Sequence, residues 1–132
     1  MEKKMKGIAG ELGFHGTALM LRQKRNMILA SNISNAATPN FKARDINFEE
    51  ALYKAQGQGP MVTTDSRHIP IAMTAPGREV LYRTPVNTSI DGNTVELAVE
   101  QLEFSENTMR YQTSLTFLNN KIGGLISAIK GE

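Results

Sequence analysis

The feature that most limits what this chain can become is a repeat near its end. Leu97, Phe104, Tyr111, Leu118 and Leu125 fall seven residues apart. A second series, Gln101, Thr108, Leu115, Ile122 and Ile129, stands three residues ahead of each following member of the first. This is the two-row spacing of a coiled-coil seam, with the first series as d and the second as a. Between the rows lie mostly Glu, Ser, Asn, Gln, Thr and Lys, and no proline interrupts. Such a helix extends about 50 Å at about 1.5 Å per residue. A stripe that long needs a partner helix, and the source of the partner decides the architecture.

The other end of the chain offers one. Ile8 to about Asn35 reads as an amphipathic helix, with Leu12, Leu19 and Ile33 in one seven-residue row together with Asn26. Leu21 and Ile28 form a neighbouring row, which Leu29 widens. Gly7, Gly10, Gly13 and Gly16 each lower helix propensity by about 1 kcal/mol against Ala, so the first turns are expected to fray or to order on a partner. Arg22, Gln23, Lys24 and Arg25 read as a solvated or interfacial basic patch. The expected fold is mainly α: long N- and C-terminal helices pairing in a coiled-coil-like manner around an irregular, partly β middle. The corresponding boundaries are 1–45, 46–92 and 93–132.

Composition narrows the function classes. With 132 residues, 40% hydrophobic, 6% aromatic and no Trp, the chain can cover a helix seam but not build a large globular core. The absence of Cys excludes disulfides, thiolate zinc sites and thiol catalysis. A net charge of +2, with scattered basic residues and no aromatic ladder, gives no basis for a nucleic-acid partner. Lys3, Lys4 and Lys6 are not followed by an uninterrupted apolar run, because Glu11, His15, Arg22, Lys24 and Arg25 break it. Neither a cleavable secretory signal nor a transmembrane helix is expected.

The most specific stretch runs from Ala30 to Asp45. Pro39 disfavours helical geometry at Thr38 and lacks an amide donor, so the first helix should end before it. Pro39-Asn40 fits the centre of a tight turn, and a type II turn there requires positive φ at Asn40. Asn32 and Asn35, near the helix end, have amides suited to its last carbonyls or to a facing chain. Read without further context, this is a helix C-terminus with a proline turn. Asn32, Asn35, Thr38, Phe41 and Lys42 nonetheless match, in order and spacing, the signature of the bacterial flagellar rod and hook axial proteins, where an Asn-rich helix end leads into Thr-x-Gly-(Phe or Tyr)-Lys. Asn40 replaces the usual Gly, and both residues accept positive φ. The continuation Ala43-Arg44-Asp45, the segment Thr64 to Ile69 and the Asp91-Gly92-Asn93-Thr94-Val95 approach to the last helix resemble the proximal rod members. The resemblance covers nearly the whole chain and is weak between about Pro70 and Ser89.

The middle carries weaker signals. Phe48, Ala51 and Leu52 allow one or two helical turns, with Asn47 as N-cap and Glu49 and Glu50 in the first turn. From Gln56 to Asp91 the chain is rich in Gly, Pro, Thr and Ser, with Ile69 to Met73 and Val80 to Tyr82 as short strand candidates. Asn93 or Thr94 is the expected N-cap of the last helix. Val95, Leu102 and Met109 make another seven-residue row there, so the early helix is apolar on two sides and is expected to meet more than one neighbour. Gly123-Gly124 weakens that helix and leaves room for a close approach.

No catalytic constellation emerges. His15 and His68 have no motif-level partners, and Glu96, Glu100, Glu103 and Glu106 read as a solvated face without a ligand pattern around them. No phosphate-cradling loop follows a strand. No cofactor, metal or small-molecule substrate is expected, and no enzyme. The chain reads as a structural subunit whose terminal helices, through Leu12, Leu19, Ile28 and Ile33 and the C-terminal seam, form the wall of a helical tube by contacts that do not close into a ring. The resemblance implies that the tube is the flagellar rod across the periplasm. It implies export by the flagellar apparatus without a cleaved signal. It also implies, as partners, copies of the chain, the other rod proteins, and the rod's base at the membrane ring and export gate. The competing reading is a soluble helical adaptor or export chaperone that binds a partner helix along its seam. That reading accounts for the heptads but not for the Asn-Thr-Phe-Lys turn.

Overall fold

A computed structural model of the chain describes residues 2–55, 80–87 and 89–131. Two long helices dominate: α1, Glu2–Ser34, and α3, Leu97–Lys130. Between them lie β1, Arg44–Ile46, the short helix α2, Phe48–Ala55, and β2, Val80–Tyr82. The chain is thus mainly helical, with two long terminal helices and a small mixed middle. The expected strand at Ile69 to Met73 and His68 lie outside the described residues.

The two long helices make the most extensive contact in the molecule. Their cross-links run in opposite sequence directions. Glu11 pairs with Lys121, Arg22 with Asn107, Arg25 with Glu103 and Asn32 with Glu100, so the pair is antiparallel. The chain's own N-terminal helix is therefore a partner of α3.

A second face of α1 carries the apolar core. Leu21 packs with Ile46 of β1 and Ala51 of α2, and Ile28, Phe48, Leu52 and Val80 close around them. Helix α2 forms where its acidic first turn and Lys54 in its last turn suit the dipole. Asn47 caps it by accepting the Glu50 amide at 3.3 Å. The Val80–Tyr82 strand forms because Arg44–Ile46 pairs with it antiparallel, Asp45 opposite Leu81. The sheet is only two short strands. A pair this small is not stable alone and stands here on α1.

Two helix starts differ from expectation. α1 is helical from Glu2, so Gly7, Gly10, Gly13 and Gly16 lie within it. At α3 the N-cap is Glu96, in extended geometry and without a side-chain cap bond. Asn93 and Thr94 are drawn away to other partners.

Candidate assembly interface

The turn that follows α1 is built first from its backbone. The Phe41 amide donates to the Thr38 carbonyl at 3.3 Å and closes the turn, with Asn40 at φ 60°. Asn tolerates this left-handed geometry, so the departure from Gly leaves the turn intact. The strand approaching α3 then zips onto it. The Asn40 amide donates to the Asp91 carbonyl, the Thr94 amide to the Phe41 carbonyl, each at 3.0 Å, and the Ala43 amide to Thr94 Oγ1 at 2.8 Å. Lys42 Nζ reaches the Gly92 carbonyl at 2.5 Å. Gly92 has φ +74°, and a Cβ there would meet Asn40 Oδ1 at 2.6 Å. The positive φ is what favours glycine at 92, since the Asn40 oxygen is the end of a side chain that can move aside.

Three asparagines hold the ends. Asn93 Nδ2 donates to the carbonyls of Asn35, Ala36 and Thr38 at 2.9–3.0 Å, while its Oδ1 accepts the Val95 amide at 2.8 Å. These carbonyls belong to the turn that follows α1, and two of them, those of Asn35 and Thr38, also accept the amides of Thr38 and Phe41. Asn32, wholly buried, accepts the Arg44 amide at 3.1 Å and donates to the Arg44 carbonyl at 2.6 Å and to Glu100 Oε2 at 3.0 Å. Asn35 donates to the Ser31 carbonyl and accepts from Thr38 Oγ1. So Asn32, Asn35, Thr38, Asn40, Phe41 and Lys42 come together in one corner, with Phe41 half-buried.

Below this corner a part-buried ionic cluster joins four segments. Arg25 of α1 grips Asp45 of β1 through two bonds of 2.8 Å and reaches Glu103 of α3 at 2.8 Å. Arg83, directly after β2, bonds Asp45 Oδ2 and Glu100 Oε1, each at 2.6 Å. Burial works to raise the Asp45 carboxyl, but Arg25, Arg83 and the Ile46 amide outweigh it and hold it below the ordinary carboxylate range. Hydrogen bonding to Asp45 raises the Arg25 guanidinium further, against the cost of burial. Burial dominates at Glu100 and pushes its carboxyl upward, opposed by Asn32 and Arg83.

The basic stretch at 22–25 is therefore not simply a solvated patch, nor is the glutamate row simply a solvated face. Arg25 is locked in the cluster, and Arg22 lies over the Phe48 ring, 4.1 Å from its centroid. Arg22 Nε is buried without a hydrogen-bond partner, and burial, with Arg110 and Arg25 nearby, lowers the pKa of the group. Glu100 is 0% exposed and Glu103 is bonded to Arg25.

Along the helix pair, Asn26 bonds Asn107 at 2.8 Å and Thr108 at 3.4 Å, which turns the Leu12, Leu19, Asn26, Ile33 row toward α3. Leu12, Leu19 and Ile33 are half-buried, and Ile28 serves the core with α2 and β2 instead. On α3, Phe104, Tyr111, Leu118 and Leu125 are half-buried, and Leu97 is more open. The second row facing α1 is polar, with Glu100 and Asn107 both fully buried. Leu115, Ile122 and Ile129 instead lie toward solvent, Ile129 at 85%. Met20 and Met27 on α1, and Val99, Leu102, Met109, Phe117 and Ile126 on α3, are exposed as well. A cavity of about 390 Å³ runs along Met109, Gln112, Thr113, Thr116, Phe117 and Asn120. No described helix is long and apolar enough to cross a membrane. Among the described residues no three His, Cys, Asp or Glu are grouped to hold a metal ion.

The family model described as flagella basal body rod protein matches residues 12–42, which span α1 from Leu12 to its end and the turn after it. A flagellar basal body rod protein FlgB of Cereibacter sphaeroides is 57% identical over 97% of this chain and 100% of its own length. The protein of the same name from Aeromonas hydrophila is 50% identical over 91% of the chain and 92% of its own length. That from Salmonella typhimurium is 40% identical over 91% and 93%.

Proposed function

The chain belongs to the FlgB family of flagellar basal-body rod proteins and is a structural subunit of that rod, and we propose that it builds the rod wall by packing the outward faces of its helix pair against neighbouring subunits. The observation that carries this reading is the set of large apolar side chains left open after α1 and α3 have satisfied each other, above all Leu102, Met109 and Phe117 on one side of α3. Exposed apolar stripes of this length mark interaction surfaces. Neighbours related by a non-closing heterologous contact extend into a filament. A helix pair that kept its partners to itself, as an adaptor in waiting would, also lacks a use for the Asn-rich corner. That corner fixes the angle at which the middle segment leaves the helices.

In this reading the rod spans the periplasm, the chain is exported by the flagellar apparatus, and its neighbours are copies of itself, other rod proteins, and the rod's base at the membrane ring and export gate. The first test is mass spectrometry of purified hook–basal bodies: several copies per particle are expected, and basal bodies lacking the chain while it resides in the cytosol would return the adaptor. Contacts follow from pairs of engineered cysteines drawn from positions 20, 109 and 117 and read as disulfides between subunits, since a heterologous contact brings different residues together. The native chain has none, so each disulfide formed in the basal body reports one contact. Phe41 is assigned a packing role against a neighbour or the helix pair. Phe41→Ala is expected to reduce rod incorporation at least tenfold with monomer solubility kept, and normal incorporation would remove that role.

A further inference from the structure

Of the aspartates in the chain, Asp45 is followed by Ile, Asp65 by Ser, and Asp91 alone by Gly. An Asp-Gly pair has chemistry of its own. The Gly92 nitrogen can attack Cγ of the neutral Asp91 carboxyl, because no Cβ at position 92 hinders the approach. The new N–Cγ bond closes a cyclic imide, and the amide proton leaves with the carboxyl hydroxyl as water. A second water then opens the ring. Addition at the side-chain carbonyl restores aspartate. Addition at the main-chain carbonyl gives isoaspartate, whose backbone runs through Cβ and Cγ and is one carbon longer. Mass and oxidation state are unchanged, and water is the only co-reactant.

Asp91 is exposed, so solvent reaches it, but the corner opposes the attack. The Gly92 amide donates to the Ser89 carbonyl at 3.1 Å and closes a turn with Asp91 at its third position. That position has ψ of about 0°, which sets the Gly92 nitrogen beside the nitrogen of Asp91 and away from its side chain. The same peptide plane is pinned at its other edge, where the Asp91 carbonyl accepts the Asn40 amide at 3.0 Å. Swinging the nitrogen onto Cγ turns this plane and breaks both bonds. Lys42 Nζ holds the next carbonyl, that of Gly92, and Asp91 Oδ1 accepts the Asn93 amide at 3.0 Å. The Ser89 hydroxyl and the Asn93 amide also keep the Asp91 carboxyl below the ordinary carboxylate range, which leaves less of the neutral acid.

We propose that Asp91-Gly92 is a site of spontaneous isoaspartate formation, protected while the corner between the first turn and the approach to α3 is closed and reactive when it opens. The rate in the folded chain is then the open fraction multiplied by the rate of the free segment, as in hydrogen exchange. The product does not close again. Its extra carbon shifts Asn93 against the three carbonyls it holds, and the oxygen that received the Asn40 amide becomes part of a free carboxylate. Isoaspartate at 91 thus marks chains that have spent time open, and keeps them open.

The test is incubation of the full chain at neutral pH beside a synthetic peptide of residues 86–97 in the same buffer, with isoaspartate at 91 located by peptide mapping. The folded wild type is expected to react at least about tenfold more slowly than the peptide. Asn93→Ala, referred to a peptide with the same substitution, is expected to react at least about threefold faster than the wild type. Equal rates in folded chain and peptide would overturn the protection, and a peptide that forms no isoaspartate would overturn the site. An Asn93→Ala chain as slow as the wild type would remove the corner from the account. If that variant fails to fold, the wild type in urea decides. Reaction as fast as the peptide in urea supports the proposal, and retained slowness overturns it. The isoaspartate fraction, separated by chromatography, is expected to unfold at a lower urea midpoint, and an unchanged midpoint would overturn the claim that it stays open.

Discussion

The amide nitrogen of Asn93 faces three carbonyl oxygens of the turn that follows α1 while its oxygen holds the amide of Val95. Helix ends normally find such donors locally, through a glycine in left-handed geometry or a nearby side chain. Here the donor arrives from 55 to 58 residues away, so the turn after the first helix is fully bonded only when the approach to the last one is in place. Loss of this side chain removes a donor from each of three turn carbonyls, of which those of Asn35 and Thr38 keep a backbone amide. Asn93→Ala is expected to cost about 2 kcal/mol, read as a lower urea midpoint at unchanged slope. Asn93→Asp is expected to cost more, because a carboxylate turns acceptors toward three acceptors. Equal losses in the two variants would show that volume, not donation, is what the site needs.

At the scale of elements, the sequence declared the two helices and hid their inner contents. The series Phe104, Tyr111, Leu118 and Leu125 was legible because apolar residues at seven-residue spacing can only be a stripe. Its companion row was not, because apolar counting selects Leu115, Ile122 and Ile129 and cannot see that buried polar groups partner one another. Glu100 and Asn107 look solvated in sequence, and only Asn32, Arg83, Asn26 and the Arg22 carbonyl make them core residues. A helix with apolar residues on two sides gives no local sign of which side meets its own chain. The turn was legible to the extent of Asn40 at positive φ, since a proline followed by asparagine has few conformations open to it. Asn93 was not, since its task depends on a pairing across half the chain. The apolar row that turns outward leads to a test on α3. Among the described residues a Cβ at Gly123 or Gly124 meets nothing within 4 Å. Gly123→Ala is expected to raise helix content and stabilise the isolated chain by about 1 kcal/mol. Where a neighbour's backbone comes close to that face, the same substitution lowers incorporation into basal bodies. Gain in the isolated chain together with undiminished assembly would place the neighbour elsewhere.

The whole molecule divides its two kinds of surface by chemistry. Polar stitches and the ionic cluster fix how α1 and α3 lie on each other, which suits specificity more than strength, because buried ion pairs return little net stability for their desolvation. Apolar area is spread between the small core around Leu21, Ile46 and Ala51 and the outward side chains of both helices. A subunit built this way keeps a defined shape from its polar contacts and reserves much of its hydrophobic driving force for its neighbours. The division separates folding from assembly in a single substitution. Phe117 is 61% exposed in the isolated chain and borders the cavity between Met109 and Asn120. Phe117→Glu should therefore change the urea midpoint by no more than corresponds to about 0.5 kcal/mol. In the rod the same glutamate would be an unpaired charge pressed into an apolar contact, which costs far more than the lost ring alone. Incorporation into basal bodies, counted by mass spectrometry, is expected to fall at least tenfold, and swimming with it. Phe117→Leu should restore most of both. A glutamate variant that assembles normally would mean that this face of α3 looks onto solvent in the rod, and that the subunits meet through α1 and the middle segment.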